Sequence, residues 1–266
     1  MLASDRCRVA READDDAGDD PVDGDNAARG GRGLGGRIVR LEPLTPRSTL
    51  LRLEGPALVG FDWVPGQHVR IRIGSMREAL RRFSPHDAVR AYSIWDGDAK
   101  AGWLEFVLFD HGTPDSLGLG WARRARVGQW AGFIRGRGFF RLDPAANYHL
   151  FAGEETASVP YGAMLRALPA EAAVFGVVQA DTATDHLELP RPLQRIERGG
   201  ASAASSQQLV DAVAALDVPT EPGVAYLAGE ARTIQLIRTR LVEERGWPRR
   251  NVLTKPFWTP GKRGLE

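Results

Sequence analysis

A chain of 266 residues is long enough for one large domain or two small ones, and its 43% hydrophobic and 26% charged residues are those of an ordinary globular protein rather than a fibrous or fully disordered one. Its 35 basic and 34 acidic residues leave a net charge of +1, which excludes a strong basic field for binding nucleic acid or an anionic membrane. The single cysteine, Cys7, excludes an internal disulfide and a cysteine-clustered zinc or iron–sulfur site.

The sequence also bears on localisation and partners. No apolar stretch approaches the roughly 20 residues that a membrane-spanning helix requires, and the charged N-terminus lacks the apolar region of a secretory signal. We therefore expect a cytoplasmic protein with a small-molecule substrate and without nucleic-acid or membrane partners; its oligomeric state is left open. The histidines are scattered, with no pair at the i, i+4 spacing of a helical metal site, so no metal site is expected.

Residues 1–36 differ in composition from the rest of the chain. Asp dominates Glu12–Asp25, and Gly and Arg dominate Arg29–Gly36. Such a segment cannot bury enough apolar surface to offset the entropy of ordering it, so the composition predicts a disordered acidic and Gly-rich tail.

The next part of the chain, residues 37–145, contains short segments rich in β-branched, aliphatic and aromatic residues. Alternation is clear at Val69, Ile71 and Ile73, which face one way on a strand. Six short strands without long helical windows between them predict an antiparallel barrel. The predicted strands are Arg37–Leu44, Ser48–Glu54, His68–Ile73, Ala91–Trp95, Trp103–Phe109 and Trp130–Ile134.

From residue 146 onward, strand and helix patterns alternate, which predicts a parallel sheet with right-handed crossovers. Pro190–Ser206, with its run of Gly, Ala and Ser, is predicted to be a loop. The chain is therefore expected to consist of a tail (1–36), a β-barrel domain (37–145) and an α/β domain (146–266), with ligands in the cleft between the two domains. The predicted strands are Tyr148–Ala152, Ala173–Gln179, Val224–Leu227 and Val252–Thr254; the predicted helices are Tyr161–Leu168, Gln207–Leu216 with Ser206 as its N-cap, and Thr233–Glu244 ended by Gly246.

The most informative local sequence is Arg90-Ala91-Tyr92-Ser93, in a predicted barrel strand. A guanidinium suits a pyrophosphate, a tyrosine ring can stack on a flat heterocycle, and a hydroxyl can bond that ring's edge. On a strand, Arg90 and Tyr92 point to one face and Ser93 to the other, although local twist and main-chain contacts can bring all three to one ligand. The alternative is a surface Arg beside a half-buried strand Tyr, because a four-residue pattern is weak by itself.

Taken with further motifs in the same order, this pattern resembles the siderophore-interacting proteins over about residues 37–266. Those proteins are flavin-dependent ferric-siderophore reductases of the ferredoxin-reductase-like superfamily. The further motifs are Leu104–Leu108, His111-Gly112, Trp121-Ala122, Ile134–Gly138, Ala152–Ala157, Leu227–Glu230 and Phe257–Gly264.

The resemblance implies an antiparallel FAD-binding β-barrel followed by a parallel-sheet, NAD(P)-binding-like α/β domain. It implies an oxidoreductase that passes electrons from NAD(P)H or another reductant through FAD to Fe(III) in a siderophore. Arg90 would hold the FAD pyrophosphate, Tyr92 would stack on the flavin, and Ser93 would bond its reactive edge. The remaining cofactor-binding residues implied are His111, Gly112, Trp121 and Ala122 around the phosphates and ribityl chain, Gly153, Glu155 and Thr156 at the nicotinamide side, and Gly229 and Glu230 in the second nucleotide loop.

Residues near the C-terminus are candidates for holding an anionic ferric chelate, although a solvated charge cluster is an equally good interpretation of their charges. The candidates for substrate binding are Lys255, Trp258, Lys262 and Arg263. No general base or nucleophile is required, because the flavin carries the redox chemistry.

Departures from the family pattern fall mainly on the nicotinamide and substrate side. Glu154 stands where Asp is usual, and bulky Tyr161 and Phe257 would narrow a nicotinamide site. An alternative is therefore an FAD-binding natural-product biosynthetic enzyme that acts on an apolar metabolite, has lost nicotinamide and iron chemistry, and uses flavin structurally or for another reaction such as cyclisation. A non-catalytic siderophore or metabolite binder is a third possibility.

Overall fold

The computed structural model describes residues 33–73, 89–110, 117–136 and 140–261. The predicted tail as far as residue 32 lies outside the described residues. So do His111 and Gly112 of the predicted flavin site and Lys262 and Arg263 of the predicted substrate site.

The first half of the described chain forms a closed barrel, as predicted. Each strand pairs antiparallel with its neighbours in the order β1-β2-β5-β4-β3-β6, and β6 closes the barrel by pairing with β1. The strands are β1 (Gly35–Thr45), β2 (Ser48–Glu54), β3 (His68–Arg72), β4 (Val89–Asp98), β5 (Trp103–Phe109) and β6 (Trp130–Arg135).

Alternating residues of these strands fill the barrel. Val69 and Ile71 on β3 are fully buried, and Ile73 packs against the same core from its half-buried position, which confirms the predicted alternation. Across the core, the rings of Phe61 and Phe133 meet edge to face at 5.5 Å. The barrel is therefore a packed core whose outer face is left for contacts with the rest of the chain.

Two features of the barrel differ from the sequence prediction. Strand β1 begins at Gly35, inside the segment predicted as tail. There it pairs closely with β6, and only glycine allows this approach, because a Cβ at Gly35 would lie 2.5 Å from the carbonyl oxygen of Ala131. Helix α1 (Leu117–Arg124) follows β5 and was not predicted, since Gly118 and Gly120 weaken its helical pattern.

The second half forms a five-stranded sheet in which every pair is parallel, as predicted. Its order is β11-β10-β7-β8-β9. The elements are β7 (His149–Glu154), α2 (Ser158–Ala167), β8 (Val174–Ala180), β9 (Gln194–Glu197), α3 (Gln207–Ala214), β10 (Val224–Glu230), α4 (Ala231–Thr239), which continues as a π-helical turn over Arg240–Glu244, and β11 (Val252–Trp258).

Strand β9 corrects the prediction that residues 190–206 form a loop. It lies at the edge of the sheet and pairs with β8 alone, and only Ile196 of its four residues is half-buried. Because three of its four side chains are exposed, the strand carries no apolar run that sequence inspection could detect. The predicted cap of α3 is confirmed, since the Ser206 hydroxyl accepts a hydrogen bond from the N–H of Leu209 at 3.3 Å.

The helices cover the sheet on both faces. Tyr161 and Met164 of α2 pack with Phe151 in one cluster, whereas Leu209 of α3 and Ile234 of α4 pack with other residues in a second cluster. Successive residues of β7 alternate between these clusters, as expected for a strand that is buried on both sides. Among the residues that the structure describes, no helix is long and apolar enough to span a bilayer.

The barrel contacts the sheet half through α2. Trp95 of β4 lies against Gly162 of α2, where an added Cβ would be 2.2 Å from Trp95 Cζ3. The Arg166 guanidinium lies 4.9 Å from the centroid of the same indole and donates to the Trp95 carbonyl oxygen at 3.0 Å. Around this contact an apolar seam joins the two halves; its residues are Leu50, Trp95, Val107, Phe109, Val159 and Leu187. The division into separate domains at residue 145 stays a prediction.

We expect Gly162→Ala to lower the free energy of unfolding by about 1–3 kcal/mol, because the added methyl group overpacks the seam against Trp95. Gly120→Ala is the matched control in α1, where the nearest atom to an added Cβ is Nη1 of the flexible Arg124 side chain at 3.2 Å. There we expect a gain of up to about 1 kcal/mol from helix propensity. Urea denaturation of both variants measures the difference, and equal effects would contradict the assigned role of Gly162.

Candidate functional site

The predicted flavin residues lie on β4, and Tyr92 is fixed by the barrel core. Its ring centroid is 6.1 Å from that of Trp121 on α1, with an angle of 41° between the planes, and its side chain packs against the barrel cluster. Burial raises the pKa of Tyr92 to about 12 despite the opposing charge of Arg90, so the phenol stays protonated at neutral pH. Trp121 is buried and Ala122 half-buried in the same cluster.

Arg90 and Ser93 flank this tyrosine. Arg90 is half-buried, and its Nη1 donates to the Val89 carbonyl oxygen at 2.7 Å. Ser93 pairs with His68 across the β3–β4 ladder. Burial, and then the positive charge of Lys255, lower the pKa of His68 to about 4, so the imidazole beside Ser93 is neutral.

The chemistry of Arg90, Tyr92 and Ser93 fits a flavin dinucleotide. A pyrophosphate requires a cation, and a flavin ring requires a flat partner and uncharged hydrogen-bonding groups at its edge. Arg90, Tyr92 and Ser93 supply these three kinds of group within four residues of one strand. Their assignment to FAD stays a prediction.

The carboxyl end of β7 carries a buried carboxylate, Glu154. Its Oε2 accepts from the backbone N–H of Thr156 at 2.9 Å, and its Oε1 accepts from the Thr156 hydroxyl and from Trp258 Nε1, the latter at 3.0 Å. Burial, and then the neighbouring charge of Glu155, raises the pKa of Glu154 to about 7. Glu154 therefore occupies the start of the helical segment that leads into α2.

A second carboxylate, Glu230, occupies the equivalent place at the end of β10. Its Oε2 accepts from the N–H of Thr233 at 2.8 Å and from the N–H of Ser205 at 3.3 Å, and its Oε1 accepts from the Thr259 hydroxyl at 3.0 Å. Burial opposes ionisation, but hydrogen bonds from the N–H groups of Arg232 and Thr233 lower the pKa of Glu230 overall. The short sequence Ala-Gly-Glu occurs at both strand ends, and this repetition is the signal that could have identified the pair.

The glycines of these two motifs serve close packing. A Cβ at Gly153 would lie 2.2 Å from the Ala228 carbonyl oxygen, and a Cβ at Gly229, where φ is +115°, would lie 2.7 Å from Glu154 Oε1. The two glycines therefore allow β7, β10 and the Glu154 carboxylate to approach each other. The assignment of Gly153 and Gly229 to nucleotide binding stays a prediction.

A buried ion pair lies beside the first cap. Glu155 and Arg198, 43 residues apart, form two hydrogen bonds of 2.5 and 2.6 Å, with side chains only 8% and 9% exposed. Asp181 at the end of β8 lies 4.0 Å from Arg198 and 3.3 Å from Arg47 in the β1–β2 turn. Sequence inspection identified Glu155 but gave neither Arg198 nor Asp181 a role, because no local pattern connects them.

Tyr161, which was expected to narrow a nicotinamide site, lies inside the sheet half. Its side chain is fully buried, and its hydroxyl oxygen is 2.7 Å from the Ala152 carbonyl oxygen and 2.8 Å from that of Tyr226. The same oxygen accepts from the N–H of Ala228 at 3.0 Å. The expectation is therefore corrected: Tyr161 holds β7 and β10 together.

The described substrate candidates, Lys255 and Trp258, both lie on β11. Lys255 is half-buried, and its positive charge contributes to the lowered pKa of His68 on the barrel strand β3. The Trp258 indole bonds Glu154. The structure thus brings Lys255 near His68 of the barrel, whereas Trp258 lies with the carboxylate caps of the sheet.

Known proteins resemble this chain in sequence and in fold. Residues 146–261 match the family model described as "Siderophore-interacting protein". The chain is 27% identical over 243 residues to the ferric vibriobactin reductase ViuB of Vibrio cholerae, covering 85% of this chain and 89% of that protein.

Two solved structures show the same fold. A siderophore utilization protein from T. fusca has a TM-score of 0.74 at 25% identity and covers 87% of this chain and 94% of its own. Phthalate dioxygenase reductase, described as a modular structure for electron transfer from pyridine nucleotides to [2Fe-2S], has a TM-score of 0.64 at 14% identity, covering 86% of this chain and 69% of its own, which is a likeness of fold alone. The resemblance inferred from the sequence is therefore confirmed: residues 146–261 match the model of the siderophore-interacting proteins, and the chain shares its fold with a siderophore utilization protein and with phthalate dioxygenase reductase.

Proposed function

We propose that this protein is a flavin-dependent oxidoreductase that reduces Fe(III) held in a siderophore. The observation that carries the proposal is the similarity to ferric vibriobactin reductase, which extends over 89% of that protein and thus over both the barrel and the sheet. No observation favours the alternative of a biosynthetic enzyme without redox chemistry.

The wall formed by Arg90, Tyr92 and Ser93 would hold FAD. The guanidinium of Arg90 would bind the pyrophosphate, the protonated phenol ring of Tyr92 would pack on the ring system, and the Ser93 hydroxyl would bond its polar edge. Bound FAD would supply the ability to accept two electrons and to deliver them singly. The neutral His68 beside Ser93 adds a hydrogen-bonding group without adding charge.

Lys255 would hold the ferric chelate. A siderophore complex of Fe(III) is frequently an anion. The Lys255 ammonium group is a cation on β11, and its charge contributes to the lowered pKa of His68 on the barrel. Each turnover would add one electron to Fe(III) and leave Fe(II), which the chelator binds less tightly. No proton-transfer group is needed for this step.

The direct test measures iron reduction without assuming a physiological donor. Protein loaded with FAD is reduced anaerobically with a stoichiometric amount of dithionite, mixed with a ferric catecholate or hydroxamate siderophore, and followed by a ferrous-specific chelating dye. We expect one Fe(II) per electron stored. Protein that retains bleached flavin in the presence of both chelates would refute the proposal.

For Arg90→Ala, we expect the dissociation constant for FAD to rise by at least about 10-fold, because a charge-assisted hydrogen bond to the pyrophosphate is lost. Arg72→Ala is the matched control, since Arg72 is an exposed arginine on the neighbouring strand β3. Fluorescence titration of apoprotein with FAD measures both. Unchanged affinity in Arg90→Ala would contradict its role.

For Lys255→Met, we expect KM for an anionic ferric chelate to rise by about 3- to 10-fold, with kcat and FAD affinity unchanged, because one cation contributes a modest attraction at a partly exposed site. Lys100→Met, in an exposed barrel turn, is the control. The pKa of His68, measured by NMR, should also rise in Lys255→Met, because the Lys255 charge depresses it. An unchanged KM would exclude Lys255 from chelate binding.

A further inference from the structure

We propose that Glu154 and Glu230 are specificity residues that keep the pyrophosphate of a pyridine dinucleotide off the carboxyl edge of the sheet. Electrons would then reach the protein from a donor that does not dock phosphates there. The inference rests on the proposed function only because it supposes a flavin that must be reduced. The exclusion of the pyrophosphate concerns the sheet alone.

The two glutamates flank the place where this fold would bind a dinucleotide. The chain runs from β7 through β8 to β9 on one side and then returns to place β10 on the other side of β7. Ligands of open parallel sheets bind at such a switch point, beyond the carboxyl ends of the strands, where helix N-termini offer N–H groups to phosphate. Glu154 ends β7, and Glu230 ends β10.

At both strand ends a backbone N–H that could bind phosphate is already bonded to one of these side chains. Glu154 accepts from Thr156 and Glu230 from Thr233 at 2.9 and 2.8 Å, so each carboxylate occupies the position of a phosphate oxygen. Trp258 and Thr259 at the end of β11 bond the same two carboxylates from the other side, each at 3.0 Å. A pyrophosphate would have to displace four hydrogen-bonded side chains.

The glycines that could have admitted a phosphate are closed as well. A Cβ added at Gly153 would lie 2.2 Å from the Ala228 carbonyl oxygen, and one added at Gly229 would lie 2.7 Å from Glu154 Oε1. In a phosphate-binding loop the glycines leave room for the ligand. Here the protein's own backbone and carboxylate fill that room.

The charge of this edge also opposes a phosphate. Hydrogen bonds keep the pKa of Glu230 low, so it is ionised at neutral pH. Arg198, the nearest cation described at the first cap, is already paired in two hydrogen bonds with Glu155, and Asp181 lies 4.0 Å from its Nε. An incoming pyrophosphate would therefore be repelled by these carboxylates, and the charge of Arg198 would not offset the repulsion because Glu155 already balances it.

Binding of NADPH, NADH and ADP-ribose to the full chain, with FAD in excess so that the flavin site is filled, tests the proposal by calorimetry. For the natural sequence we expect no saturable binding up to about 1 mM ligand. For Glu154→Gln/Glu230→Gln we expect binding at least about 10-fold tighter than that limit, because the charge of Glu230 and the partial charge of Glu154 are removed while an amide oxygen remains to accept from Thr156 and Thr233.

Glu105→Gln is the matched control. Glu105 is a buried carboxylate on β5 that accepts from Arg52 Nε at 2.8 Å, away from the sheet. We expect it to bind dinucleotides no better than the natural sequence. Single variants Glu154→Gln and Glu230→Gln replace the double variant if circular dichroism shows that the latter is unfolded.

Saturable binding of any of the three ligands by the natural sequence below about 1 mM would overturn the proposal. Folded glutamine variants that gain no affinity would overturn the assignment of the exclusion to these two carboxylates. Bleaching of the flavin by dithionite is measured in the same samples. If flavin is absent or iron is not reduced, the proposed function fails, whereas the dinucleotide titration still decides this inference.

Discussion

The sheet half depends on one buried carboxylate. Glu154 lies where β7 ends and the helical segment leading to α2 begins, and it accepts hydrogen bonds from Thr156 of that segment and from Trp258 at the end of β11. A buried carboxyl group without such partners would be costly. The same contacts explain why Gly229 must lack a side chain, since a Cβ there would collide with this carboxylate.

The repeated Ala-Gly-Glu motif shows how one device serves twice. Adjacent parallel strands β7 and β10 each end in a glutamate that caps the helical segment that follows, because its side chain accepts from the N–H of Thr156 in one segment and of Thr233 in the other. In the ferredoxin-reductase-like fold these positions surround the topological switch point. The fold is thus retained, while the edge that commonly receives a nucleotide is stabilised by the protein's own side chains.

Sequence inspection identified the elements that carry a strong local signal. The alternating Val69 and Ile71, and the continuous apolar run of β8, specify strands by themselves, and the order of the elements indicated a barrel before a parallel sheet. Strand β9 and helix α1 were missed, because the first exposes three of its four side chains and the second contains two glycines. Likewise Arg90, Tyr92 and Ser93 form a local pattern, whereas the pairing of Glu155 with Arg198 depends on tertiary contact across 43 residues.

The seam between barrel and sheet has a consequence for ligand exchange. Trp95 is seated on the bare backbone of Gly162 and covered by Arg166, and apolar side chains from both halves surround this contact. Close-packed interfaces of this kind resist hinge bending, because opening them exposes apolar surface to water. A molecule that binds beside this seam would therefore enter and leave without a hinge movement of the two halves, so its rate of exchange would be set by its own dissociation.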